Sequence, residues 1–298
     1  MDAKSNSKAT PDPKTGSAHW SSERLHADAQ RAVGGCLNLI REVSRISAQI
    51  EPSQAAERLI KRALFMGYEL QSRTQNLVHD LDKLRALNDY MFTDKRFRCV
   101  SSVSLPCADS ADLFRLETVL SRHVGAPLLI ELLYAFLAER IGVALEFADL
   151  KPTCFLKWTE NGTSRFIDVS RQGALLSTEQ LLQTLHDRFR LTTCEPTRLL
   201  ETYSFEHFIT DYLLAVKSAT NVAHNPEVLL FLQDTLISYQ PSNLQYVGER
   251  AILHRRLGNF KSALGDLKRY FAFHDRCKAP PELVFLYDEM LALMSKKN

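Results

Sequence analysis

Gly125-Ala126-Pro127-Leu128-Leu129-Ile130-Glu131-Leu132-Leu133-Tyr134-Ala135-Phe136-Leu137 is the most apolar stretch of the chain, and the other segments have to be arranged around it. The run is apolar almost all round, a pattern that predicts a helix buried on every side rather than an amphipathic one. Pro127 suits the first turn, where a missing N–H costs nothing. Glu131 is the exception. An unpaired buried carboxylate is expensive, so Glu131 is expected at the rim of the helix, with pairing to a basic group as the alternative.

After Gly142 the period changes from helical to extended. Val143 to Leu150, Cys154 to Thr159 and Ser164 to Val169 are short runs of apolar and β-favouring residues. The last two are joined by Glu160-Asn161-Gly162, and Asn-Gly between alternating segments is a strong hairpin signal. A small antiparallel sheet packed behind the buried helix is therefore predicted, giving an α+β core.

Upstream, Ser21 to Arg98 reads as helix. Ala29, Val33, Leu37, Ile40, Val43 and Ile46 recur at three- and four-residue steps, followed by Ala56, Leu59, Ile60, Ala63 and Leu64. Pro52-Ser53 separates the two series and can start and cap the second helix. Leu77, Leu81, Leu84, Leu87 and Met91 predict a third helix, with Asp80, Asp82, Lys83 and Arg85 on its outer face. Val100 to Cys107 is too rich in Ser and Pro for a helix, and Ser110 to Leu120 reads as a short amphipathic one.

Downstream, from Ser177, the text is helical again. Gly258-Asn259-Phe260 and His224-Asn225-Pro226 both read as turns between helices, and they lie 34 residues apart, the tetratricopeptide period. Gly258, Phe260, Ala263 and Leu264 fall where that repeat wants its turn glycine, aromatic, small residue and leucine. The earlier unit is degenerate, with Leu229 and Leu230 at the Ala263 and Leu264 positions and Pro241 near its end. A last helix, Pro281 to Met294, would cover the exposed face of the final unit.

The chain has 298 residues, 45% of them hydrophobic and 24% charged, which is globular composition with room for a large core. The expected organisation is a disordered tail over 1–20, a mostly helical first domain over 21–198 that includes the sheet, and a tetratricopeptide-like domain over 199–298. A net charge of +2 supplies no broad positive field, so nucleic-acid binding is unsupported. Six scattered cysteines, Cys36, Cys99, Cys107, Cys154, Cys194 and Cys277, form no Cys-x-x-Cys pair and fit a reduced cytoplasmic chain. The first twenty residues contain no apolar run, and no stretch reaches the roughly 20 apolar residues of a membrane span. Phosphate-loop, dinucleotide and zinc-ligand patterns are missing from the sequence, so neither a cofactor nor a metal is expected.

Taken in order, Leu84 to Phe97, then Gly125-Ala126-Pro127-Leu128-Leu129, Pro152-Thr153-Cys154-Phe155-Leu156, Phe166-Ile167-Asp168 with Gly173, and the repeat-like end resemble the bacterial transglutaminase-like proteins that carry C-terminal tetratricopeptide repeats. The resemblance implies a papain-like arrangement: a nucleophile at the start of a buried helix, a histidine on one strand and an aspartate on the next, so that an imidazole held by a carboxylate activates the attacking atom. Carried over position by position, the nucleophile slot is Leu129, the histidine slot Cys154 and the acid slot Asp168. Only the acid survives. Leu129 cannot attack anything. Cys154 reads as a small apolar filler of the space left by imidazole, since His123 and His186 lie on other elements. Asp168 reads as a cap for the turn Val169-Ser170-Arg171, with a local ion pair to Arg171.

The expectation is a transglutaminase-like scaffold without catalysis, meeting a protein or peptide partner through the C-terminal helices. Arg250, Arg255, Lys261 and Lys268 are the candidate partner-binding residues, on a basic flank that Arg256 and Arg269 extend. The alternative is a cysteine or serine hydrolase or acyl-transfer enzyme with a site rebuilt around Cys154 and Asp168.

Overall fold

The structure is a computed structural model that describes residues 35–50, 55–100, 111–150, 153–189, 204–221 and 225–295. The tail over 1–20, Ala29, Val33, Pro52-Ser53, Ser110, Cys107, Pro152, Cys194, His224 and the expected boundary at 198/199 lie outside the described residues. Residues Gly34–Asn298 form one compact unit.

Three helices open it: α1 (Cys36–Ile50), α2 (Ala56–Thr74) and α3 (Asp80–Asn88), the last prolonged by a π-helical turn over Asp89–Asp94. The third helix thus starts after Leu77, and its late apolar positions, Tyr90 and Met91, are buried from the wider π turn. A short parallel pair joins β1 (Arg98–Cys99) to β2 (Val124–Gly125). Between them the expected single helix is broken at Arg115, into a 3₁₀ turn, Ala111–Phe114, and α4 (Leu116–Arg122).

α5 (Pro127–Arg140) is the central helix. Every residue from Leu129 to Ala138 is buried, with Pro127 in its first turn. Burial of each large apolar side chain contributes about 2 kcal/mol, so this helix alone organises most of the core. α1, α2, α3 and α4 pack around it.

The sheet runs β3 (Glu146–Leu150), β4 (Thr153–Glu160), β5 (Thr163–Asp168) and β6 (Ala174–Leu176), all antiparallel neighbours. Asn161 (φ 49°) and Gly162 (φ 77°) are both left-handed, which is what a two-residue hairpin turn matched to strand twist requires. Phe147, Leu156, Ile167 and Leu175 lie opposite one another across the four strands and face α5 in the main core. On the other face, Ala148, Leu150, Phe155, Phe166 and Leu176 pack under Leu181 and Leu185 of α6 (Thr178–Phe189). Both faces are covered, which is why these strands read as nearly continuous apolar runs. β6 was not expected from the sequence; at three residues it is too short to show a period.

The C-terminal part is α7 (Phe205–Asn221), α8 (Pro226–Tyr239), α9 (Leu244–Arg256), α10 (Phe260–Phe271) and α11 (Pro281–Ser295). Asn225 caps α8 by accepting the Val228 N–H at 3.1 Å, ahead of Pro226 at the helix start. α8 and α10 begin at Pro226 and Phe260, 34 positions apart. Phe208, Ile209, Tyr212 and Leu213 of α7 are buried in the same core as α5. Tyr212 donates its hydroxyl to the Phe114 carbonyl at 3.1 Å. The last three helices close a third apolar cluster around Ala251, Ala263, Leu267 and Met290.

Candidate functional site

α5, the short strand β1 and the 3₁₀ turn Val169–Arg171 that follows β5 pack against one another, and α5 also packs on β4. Leu129, in the first turn of α5, is fully buried. Asp168 ends β5 and is buried. Its carboxylate accepts the Ser170 N–H at 3.0 Å and the Ser170 hydroxyl at 2.5 Å, and lies 3.9 Å from the Arg171 guanidinium. The turn-capping role expected for Asp168 is therefore present. Cys154 stands on β4, its backbone paired with Asp149, and its side chain lies outside the described residues.

Glu131 corrects the sequence reading. It is not at the rim: only 3% of it is exposed, its Oε2 has no hydrogen-bond partner, and the charge it feels is the acid Asp168 rather than a basic group. Burial, reinforced by Asp168, raises its pKa well above the usual carboxylate range. A helix with no polar face has no rim to offer, so a lone charge within it must be buried.

Cys99 is the second neighbour that sequence reasoning missed. It sits beside Gly125 in the β1–β2 pair. Burial, followed by Glu131 and Asp168, pushes its thiol pKa upward. Cys36 is likewise raised, to about 12, by burial and then Glu139. A reactive cysteine needs positive neighbours that stabilise the thiolate, and these two have the reverse. No local pattern could have flagged Cys99, because Glu131 and Asp168 reach it only through the fold.

Four histidines are engaged elsewhere: His123 packs at a tilt against Phe97 at 4.6 Å, His186 is beside Asp187, His254 is 3.9 Å from Asp266, and His274 stacks on Tyr270. Among the described residues, no group of His, Cys, Asp and Glu could hold a metal ion.

A family model described as the transglutaminase-like superfamily matches residues 41–209, more than half of the chain and all of this site. The chain belongs to the transglutaminase-like superfamily. Neither the curated proteins nor the solved structures yield a match. In this transglutaminase-like protein the matched segment ends within α7, the helix that fills the space beside α5 and the sheet, where Phe147 and Phe208 pack at 5.1 Å.

Of the candidate partner-binding residues, two are engaged within the chain. Arg250 forms a fork with both Asp266 oxygens, at 2.8 and 2.6 Å, and reaches Asp234 at 2.8 Å. Arg255 grips Glu289 at 2.9 and 2.8 Å. Lys261 and Lys268 are exposed on α10. No described helix is long and apolar enough to cross a membrane.

The buried acid makes a pH prediction. The unfolded chain ionises this carboxyl near its ordinary value, ~4.3, whereas the folded protein holds the proton to higher pH. Between those two values the native state binds more protons, so the Glu131 contribution to stability falls as pH rises, by up to about 1.4 kcal/mol per unit. Glu131→Gln, a neutral isostere, should raise the unfolding free energy at pH 7 by about 1–3 kcal/mol. Urea titrations from pH 4 to 8 check this: wild type and variant should diverge with rising pH, and parallel profiles would sink the assignment.

Proposed function

We propose that this transglutaminase-like protein is a non-catalytic scaffold that meets a protein or peptide partner through a tetratricopeptide-like region over 199–298, in the cytoplasm and without a cofactor. The observation that carries the reading is the fully buried leucine in the nucleophile slot. The acidic surroundings of Cys99 support it, since they suppress the thiolate that acyl transfer would need. Support for the binding role comes from the 34-residue offset between α8 and α10 and from the small Ala263, buried where α9, α10 and α11 pack together. Lys261 and Lys268 are the residues of the basic flank best placed to attract an acidic segment, because Arg250 and Arg255 are already paired.

The test is affinity capture with three full-length variants. Lys261→Glu/Lys268→Glu should lose the partner while keeping the wild-type unfolding curve. Ala263→Phe should overpack the last helices, cost about 1–3 kcal/mol and also lose it. Cys154→Ala should keep it. Loss of capture confined to the Cys154 variant would move function into the cleft and favour the hydrolase or acyl-transfer alternative built on Cys154 and Asp168.

A further inference from the structure

A cavity of about 380 Å³ opens between α3, Tyr134 of α5 and the stretch from Arg165 to β6. Ligand pockets span roughly 300 to 1,000 Å³, so it suits a small molecule. Cys99, Leu129, Glu131 and Asp168 do not line it. It is a separate feature from the site described above.

Leu81, Leu84 and Leu175 make the apolar part of the lining. One wall is already satisfied: Tyr134 donates its hydroxyl to Asn88 Oδ1 at 2.8 Å, and the Asn88 amide donates to the Gly173 carbonyl at 3.2 Å. Gln172 and Gly173, on the same wall, are consecutive left-handed residues (φ 57° and 75°). A left-handed glutamine is held only at a cost, and such strain concentrates where a side chain has to be aimed.

The charge is one-sided. Arg85 and Arg165 line the cavity, and no carboxylate does among the described residues. Arg85 leans on Asp82 at 3.2 Å in an exposed pair, of the kind worth about 0–1 kcal/mol and easily exchanged. Arg165 is exposed, and its side chain makes no hydrogen bond or ion pair with a described residue. A lining that combines apolar side chains with two guanidiniums matches a molecule with an apolar body and an anionic end, and a guanidinium fork fits a planar carboxylate with two parallel bonds.

We infer that this cavity binds a small organic carboxylate, its head held by Arg85 and Arg165 and its hydrocarbon body lying on Leu81, Leu84 and Leu175.

Calorimetric titration of the full chain tests this with four probes at one ionic strength: hexanoate, hexanol, acetate and inorganic phosphate. Hexanoate should bind once per chain. The other three should each bind at least about tenfold more weakly, since each lacks the charge or the body. Arg165→Gln and Arg85→Gln, both at exposed positions, should each weaken hexanoate by about tenfold, the worth of one charge-assisted contact. Ala174→Leu should fill the cavity and abolish binding. The inference fails if hexanoate does not bind at millimolar concentration, if hexanol or phosphate binds as well, or if Arg165→Gln binds like wild type. Capture of a protein partner is read separately, so this result and that of the scaffold reading can fail independently.

Discussion

Leu129→Ser is expected to lower the unfolding free energy by about 4–8 kcal/mol and to create no hydrolase. The cost has two parts. Truncating a fully buried leucine removes its transfer energy and leaves a cavity, which costs about 3–5 kcal/mol. The new hydroxyl is then buried in a helix whose neighbours are Ile130, Leu132 and Leu133, and an unsatisfied hydroxyl adds about 1–3 kcal/mol. Domains of this kind are stable by only about 5–15 kcal/mol, so the variant should unfold at much lower urea than wild type. A serine at its free pKa is a weak nucleophile without a base, and none of His123, His186, His254 and His274 is in position to serve as one, each being engaged elsewhere. Urea denaturation and p-nitrophenyl acetate hydrolysis measure the two halves. A variant within 1 kcal/mol of wild type would mean that position 129 is not in the core, and esterase activity above the wild-type background would overturn the non-catalytic reading.

Gly173→Ala should cost about 2–6 kcal/mol, although it adds one methyl group. Its φ of 75° is left-handed, worth about 1–3 kcal/mol of strain for a residue with a Cβ. That Cβ would lie 2.0 Å from Asn88 Oδ1, so the amide that accepts from Tyr134 and donates to Gly173 must move, at an overpacking cost of about 1–3 kcal/mol. Gly162→Ala separates the two contributions. Its φ is 77°, nearly the same, but nothing lies within 4 Å of a Cβ there. It should show the strain alone. Thermal and urea unfolding of both variants decide the point: equal losses would mean that the Asn88 contact does not constrain the turn before β6.

Where interactions are local, the sequence alone was enough. The hairpin turn follows from Asn161 and Gly162, which tolerate positive φ better than other residues. The start of α8 follows from Asn225 and Pro226, and the all-round burial of α5 from a run of apolar residues with one exception. Each of these depends on residues within a few positions of one another, so it is written in adjacent letters.

Only the tertiary structure decided what depends on which surfaces meet. β6 exists because Gly173 lets the chain turn tightly against Asn88, 85 residues earlier, and so brings Ala174–Leu176 alongside β5. Glu131 was legible as an anomaly, but not as a buried acid beside Asp168, because a lone carboxylate in an apolar run reads equally well as a rim residue until the helix is seen to have no rim. Cys99 joins that pair through a two-residue strand without any pattern of its own. Arg250 and Arg255 read as an exposed basic flank until α10 and α11 bring Asp266 and Glu289 against them. Charge and polarity are properties of a residue, whereas burial and pairing are properties of the packed neighbours, and those neighbours come from distant parts of the chain.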